Sequence, residues 1–547
     1  MNEANRQKKL VTGVLFLTLS AVAVKVIGLF YKIPLVNILG DDGMGYFSSA
    51  YTIYTLFHML STAGLPIAVS ILVAECLAKN NHAKARRVLR ITLVLFIGVG
   101  ALGSGIMLLG SRFLAETIRN QPAQHAIALM APVLFFVCIS SALRGYFQGA
   151  QNMTPTAISQ VIEAAGKLGF GIFFAYFAHS RGYHISIVAA YTILGITISS
   201  AGGMLFLWAA RVWHARREPK LPKHTYTDDN ETNRSILRRL LKIALPITIS
   251  ASVLSLTNII DLALVMRRLQ AIGYSEEMAN QLYGNYTGLA VPLFNLPPVL
   301  IYPIAFSIVP YITNALSRQD RNTTRLAISN AIKSAAMIGL PASVGLSVLA
   351  YPILSLLFES ESAQMAAPLL AILGSAVFFI SIAAVTTAIL QACGKQNLPI
   401  ISIMCGAGVK LLSSYILIGI PGVGITGTPV GTLLSYFTIA ILNLIFVIRH
   451  TGVVPNFRMA FIRPFFAAAT CGVAAYFANR TLLLVMDARL AVVVAIGVAG
   501  VVYATMLLVL RALTYQDLCL LIGKERFAKI TRKFKIKCST LPSCNEV

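Results

Sequence analysis

Apolar runs long enough to cross a bilayer as helices recur fourteen times along this chain, separated by polar stretches, most of them short. They lie at about 10–31, 47–73, 88–110, 127–149, 156–178, 186–209, 240–265, 287–314, 326–350, 366–390, 398–418, 429–448, 461–478 and 490–510. A spanning helix needs roughly twenty predominantly apolar residues. The pattern therefore predicts an all-α integral membrane protein with fourteen transmembrane helices. The first run is too long for the core of a secretory signal, and no small-residue cleavage site follows it, so it is taken as the first span.

Composition agrees with the pattern: of 547 residues, 57% are hydrophobic and only 12% charged, and the mean hydropathy is +0.75. An ordinary soluble domain carries about twice that share of charge. Sorting the 45 Lys and Arg residues onto the faces created by alternating connections tests orientation. With the N-terminus cytoplasmic, 33 of the 45 fall on the cytoplasmic side or toward the cytoplasmic ends of spans, 8 on the outer side and 4 elsewhere inside spans. Both termini are thus expected on the cytoplasmic side of a bacterial plasma membrane. The net charge of +25 is concentrated after the sixth span and in the tail (KERFAKITRKFKIK). Basic runs beside spans bind anionic lipid headgroups and fix topology, so membrane lipids rather than nucleic acid are the expected partners.

An internal repeat is legible in the letters. PIAVSI at 66–71 recurs as PIAFSI at 303–308, and QGAQNMTP at 148–155 recurs loosely as QACGKQNLP at 391–399. The offsets are nearly equal, so the chain divides into an N-lobe of helices one to six (1–210) and a C-lobe of helices seven to twelve (240–450). A basic linker (211–239) joins them, and an extra helix pair (451–510) and a basic tail (511–547) follow. Six is even, so the lobes share orientation and are related by a pseudo-twofold along the membrane normal, with a central cavity expected between them.

Six charges stand inside otherwise apolar spans: Lys25, Arg144, Glu163, Lys167, Asp261 and Lys410. A charge at mid-membrane costs several kcal/mol unless it meets water or a partner, so all six are expected to line the interior and to contact substrate. Glu163 and Lys167 are four apart in the favourable order and are expected to face one another. The repeat offset sets Lys25 opposite Asp261 and pairs Lys167 with Lys410. Arg144 could instead snorkel to the interface, and Glu163 and Lys167 could simply neutralise each other. His58 suits hydrogen-bonded packing better than proton relay. Tyr46, Tyr51 and Tyr54 fit a sugar-binding cavity or an interfacial aromatic belt equally well. Gly28, Gly64, Gly202 and Gly203 suit close helix approach.

Several chemistries lack their residues. No P-loop, G-x-S-x-G or H-E-x-x-H occurs, and the eight cysteines form no CxxC pair. Neither a catalytic role, a cofactor nor a metal is expected, and transport is favoured.

The stretch VKVIGLFYKIPLVNILGDDGMGYFSSAYTIYTLFHMLSTAGLPIAVSILVAE at 24–75 resembles the opening two helices of the SpoVB and MurJ branch of the multidrug/oligosaccharidyl-lipid/polysaccharide exporter superfamily. A second region of likeness is 144–167. The resemblance implies a two-lobe exporter that alternates between inward- and outward-open forms. It also implies flipping of undecaprenyl-pyrophosphate-linked sugars, chiefly lipid II, with membrane potential or a coupling ion as the driving force. Lys25 takes the position of a cavity arginine of the first helix, and a second basic position there corresponds to Tyr31 or Lys32. The final helix pair would hold the lipid tail. Drug/cation antiporters of the superfamily usually carry a carboxylate in the first helix, where this chain has Lys25. The four embedded cations outnumber the two acids by two, a match for a pyrophosphate.

Overall fold

The computed structural model describes residues 3–79, 81–217, 232–317, 320–510 and 512. Helix is the only regular structure among them. The chain runs through α1 (Glu3–Thr62), α2 (Leu65–Ala78), α3 (His82–Leu109), α4 (Ser111–Thr117), α5 (Gln124–Gly149), α6 (Thr154–Ser180), α7 (Ile185–Arg217), α8 (Asn233–Ala271) and α9 (Glu276–Asn285). A π-helical turn, Tyr286–Ala290, leads into α10 (Val291–Phe294), α11 (Leu296–Ser317), α12 (Arg321–Val348), α13 (Ala350–Leu357), α14 (Ser360–Ala392), α15 (Asn397–Ile418) and α16 (Gly427–Thr451). A second π-turn, Arg458–Ile462, precedes α17 (Arg463–Leu482) and α18 (Ala488–Val509). Of the basic linker, 218–231 lie outside the described residues, as does the tail beyond 510 except Ala512.

Among the described residues, 11 segments are long and apolar enough to cross a membrane. The first two predicted runs merge into one segment, Ala23–Ala78, while the run predicted at 240–265 lies within α8 and the one at 287–314 takes in the π-turn, α10 and most of α11. The merger has a local cause. The polar stretch between the first two runs is itself helical, and α1 continues through it with a single break at Gly40, whose φ of 60° and ψ of −171° suit glycine far better than an L-residue. The run predicted at 287–314 is interrupted by the π-turn and by the short α10.

Helix ends follow capping chemistry. Asn81 accepts the Lys84 amide at 2.9 Å to start α3, and Asp320 accepts the Thr323 amide at 3.0 Å to start α12. Ser275 caps α9, whose first turn carries Glu276 and Glu277, the sign favoured at a helix N-terminus. Pro66 sits in the first turn of α2, where no backbone N–H is needed. Of the four glycines expected at close approaches, two sit at one. A Cβ on Gly64 would collide with the Ala244 carbonyl, and one on Gly203 would lie 2.6 Å from Glu163 Cγ, whereas Gly28 and Gly202 face open space.

Two compact units emerge. The larger comprises Met1–Leu293, Leu357–Leu370 and Ile403–Ser435, and the other Phe294–Leu356, Ala371–Ser402 and Tyr436–Val547. In the larger, α6 packs against α7 and α1, and α5 against α3 and α7. In the other, α17 packs against α18 and α12. Leu349, Cys471, Ala475 and Ala499 form an apolar cluster there, and the Tyr503 hydroxyl donates to the Met337 carbonyl at 2.7 Å. The larger unit draws on both halves of the sequence, so all six embedded charges fall within it.

Candidate functional site

The charges on α5 and α6 are organised around Arg144. Its Nε donates to Ser159 Oγ at 3.1 Å, and its Nη2 donates to Glu163 Oε1 at 2.6 Å. Ser159 and Glu163 are one helical turn apart on α6, so the guanidinium fork spans two rungs of one face. Both members of the ion pair are largely buried, with side chains 14% and 12% exposed. Gly203 on α7 leaves the space that the Glu163 side chain fills.

This geometry corrects the expected pairing. Glu163 binds Arg144 on the neighbouring helix and not Lys167 on its own. The reason is a difference in strength: a same-helix Glu–Lys pair contributes about 0.2–0.5 kcal/mol. A guanidinium sunk between packed helices, by contrast, must find a carboxylate or leave a buried charge unpaired. Arg144 likewise does not snorkel. Lys167 is left half-buried, one turn beyond Glu163, with no hydrogen bond or ion pair among the described residues. It lies close enough to His58 to act on it electrostatically.

A second pair joins α8 to α15, where Lys410 Nζ bonds Asp261 Oδ2 and both side chains are largely buried. The other Asp261 oxygen, Oδ1, is buried and has no hydrogen-bond partner among the described residues. The expected partnership of Lys25 with Asp261 is therefore not formed, because Lys410 itself neutralises Asp261. Lys25 is exposed and makes no ion pair among the described residues. The surplus of two positive charges in the sequence thus acquires an address: two pairs cancel, and Lys25 and Lys167 remain.

One further cation entered the sequence reading only as an alternative to Tyr31 for a second basic position of the first helix. Lys32, on α1, donates to the carbonyls of Thr287 and Gly288, both at 3.3 Å. Those carbonyls belong to the π-turn, where the wider winding disturbs the ordinary helical bonding and turns oxygens toward other donors. The signals in the letters are a lysine near the end of an apolar run and the resemblance that sets Tyr31 or Lys32 at a basic position. His58 behaves as packing chemistry suggests, its Nδ1 lying 3.2 Å from Thr62 Oγ1. Glu75, at the end of α2, pairs with Arg239 at 2.5 Å in an exposed setting.

A model of the family described as "Polysaccharide biosynthesis protein" matches residues 10–316, and one described as "MatE" matches 287–416. The first covers more than half of the chain. The chain belongs to the polysaccharide biosynthesis protein family. Curated relatives include "Stage V sporulation protein B" of Bacillus subtilis (strain 168), 24% identical over 79% of this chain and 82% of that protein. "Lipid II flippase MurJ" of the same organism is 26% identical over 81% of this chain and 83% of that protein. Among solved structures, "Lipid II flippase MurJ, inward closed conformation" superposes with a TM-score of 0.68 at 16% identity, over 92% of this chain and 99% of that one. An inward-facing multidrug resistance MATE family transporter of the MOP superfamily superposes with a TM-score of 0.65 at 16% identity, over 80% of this chain and 98% of that one. These likenesses establish the fold as the two-lobe membrane-transporter fold of that superfamily. This family member is a multi-pass membrane protein with a transporter fold.

Proposed function

We propose that the chain is a flippase that moves an undecaprenyl-pyrophosphate-linked saccharide, lipid II foremost, from the inner to the outer leaflet of a bacterial plasma membrane by alternating access, with both of its termini cytoplasmic. The observation that carries this reading is the charge accounting within the larger unit. Four of six embedded charges are consumed in two buried pairs, while Lys25 and Lys167 stay unpaired among the described residues. An unpaired ammonium in a span costs about 2.5–3.5 kcal/mol in lipid, so Lys167 is tolerated only beside water or an anion. A pyrophosphate diester carries one negative charge on each phosphate and suits two lysines as point charges. The pair of repeat-related lysines then serves unequally: Lys167 meets the substrate, and Lys410 holds α15 to α8. A driving ion is part of the proposal only as membrane potential or an ion gradient.

The test is complementation. Expression should rescue cells depleted of their lipid II flippase, and Lys25→Ala or Lys167→Gln should abolish rescue at normal membrane levels, with Lys25→Arg retaining much of it. Absence of rescue by the wild type, together with rescue of a mutant deficient in another wall, capsule or spore polymer unit, would move the substrate to that polymer. The sporulation name of one relative favours that second reading. Efflux of a cationic dye driven by a pH gradient, without rescue, would instead identify a drug/cation antiporter.

A further inference from the structure

A small cavity lies where the last turns of α2 meet the first turns of α3 and α8, all three within the larger unit. None of the six embedded charges lines it. Its volume is about 40 Å³, roughly three times what one water needs and enough for a phosphate group. Leu72, Val88 and Ile236, all buried, line it with apolar groups, while Lys79, Lys84 and Arg239 set three cations around it against one acid, Glu75. These donors are reachable from outside. Arg239 Nη2 meets Glu75 Oε2 at 2.5 Å, yet the two side chains stay 47% and 44% exposed. A guanidinium carries five N–H donors, so one bond to Glu75 leaves Arg239 free to take a second anion. Lys79, directly after α2, is exposed, and its ammonium has no hydrogen bond or ion pair among the described residues.

The charge beyond the cavity has the same sign. On α3 stand Arg86, Arg87 and Arg90, and on α8 Arg234 and Arg238, all of them exposed. These two basic helix ends are nonetheless packed together, with Arg87 Nε donating to Asn233 Oδ1 at 2.6 Å, a neutral acceptor that cancels no charge. Like charges gathered this closely repel, and Glu75 offsets only one of them. An anion in the cavity would touch all three helices and relieve that repulsion. The surroundings decide its kind. The cavity stands at the junction of two candidate spans, Ala23–Ala78 and His82–Leu109, which is headgroup level. A free phosphate gains nothing from apolar walls, whereas a phospholipid brings a glycerol and acyl methylenes along with its phosphate.

We infer that this cavity binds the phosphate of an anionic phospholipid from the adjoining leaflet, with Lys79 and Arg239 as its cationic ligands, and that the bound lipid fastens α8 to α2 and α3. A basic run drawn to a leaflet by charge alone needs no particular lysine; this site needs these residues. It lies outside substrate recognition and stands or falls independently of the flippase proposal.

The test titrates purified full-length protein in dodecyl maltoside with short-chain phosphatidylglycerol, short-chain phosphatidylcholine or inorganic phosphate. Affinity is read from the saturation of the rise in melting temperature that a ligand of the folded state produces. Phosphatidylglycerol should saturate, and phosphatidylcholine, whose phosphate is balanced by its choline, should bind about tenfold more weakly. Lys79→Gln combined with Arg239→Gln should weaken phosphatidylglycerol about tenfold or more, the scale of two cations facing an anionic headgroup. The ion pair lost with Arg239 is exposed, so the unliganded melting temperature should stay close to that of wild type. Lys79→Gln alone, which breaks no contact among the described residues, should still cost about fivefold. Arg321→Gln combined with Arg325→Gln removes two exposed cations at the start of α12 and should leave affinity within about twofold. An equal loss in the two double variants would mean diffuse surface charge and overturn the site. Phosphatidylcholine binding as tightly as phosphatidylglycerol would overturn the role of the cations, and inorganic phosphate doing so would overturn the lipid as the ligand.

Discussion

Lys167 and Lys410 occupy repeat-related positions, about 243 residues apart, on helices that each follow a recurring turn sequence. Their surroundings differ in one respect. At Lys410 an aspartate reaches across from α8 and closes a buried pair. At Lys167 the nearest carboxylate, Glu163, is already held by Arg144 and Ser159 acts as a second rest for the guanidinium. The same offset carries Arg144 onto Thr387, which takes an uncharged hydrogen bond from Asn443 Nδ2 at 2.9 Å. Matching positions thus carry a lysine each, and the neighbours decide which is a fastener and which stays open. A charge inside a membrane protein has no role of its own; the role is set by which opposite charge is still unclaimed.

Removal of one partner at a time presses on this contrast, and the expected losses of thermal stability in detergent run from large to small. Glu163→Ala strands the Arg144 guanidinium and should cost about 3–5 kcal/mol. Adding Arg144→Met should return most of that loss, since two apolar groups pack where an ion pair was. Asp261→Asn strands Lys410 and should cost about 2–3 kcal/mol, recovered when Lys410→Met is added. Lys32→Met removes two charge-assisted hydrogen bonds to the π-turn and should cost about 1–3 kcal/mol, read as a lower melting temperature. Lys167→Gln should change stability by less than about 0.5 kcal/mol while complementation is lost. A melting temperature for Lys167→Gln as low as that of Asp261→Asn would erase the distinction between the two lysines.

Much of the architecture is legible in the letters because the bilayer imposes one dominant rule, apolar length. The spans, the duplicated PIAVSI and PIAFSI segments and the lysine asymmetry of the loops all follow from one-dimensional pattern. All six embedded charges were also visible, since a charge in an apolar run cannot hide. Their partners were not. Arg144 with Glu163 and Lys410 with Asp261 are choices between helices, made by packing details such as the space left by Gly203, and no helical wheel contains them. The π-turn at Tyr286–Ala290 was invisible for a related reason: its composition is that of an ordinary apolar helix, and so the carbonyls that receive Lys32 had no signature.

The break at Gly40 also reshapes the electric field of α1. An unbroken helix of 60 residues would carry its positive and negative poles about 90 Å apart, with nothing but neutral peptide units between them. The joint divides it into two shorter dipoles in series, so a new positive pole appears in the middle of the element, where the second begins. Asp41 and Asp42 occupy that first turn. Asp41 Oδ1 accepts from Ser362 Oγ at 2.7 Å and Asp42 Oδ2 from Gln281 Nε2 at 3.1 Å, which fixes the two carboxylates near the pole. Acids that seem in the sequence merely to neutralise a loop thus act as counter-charges to a helix start, and a glycine with an unusual backbone angle places them there.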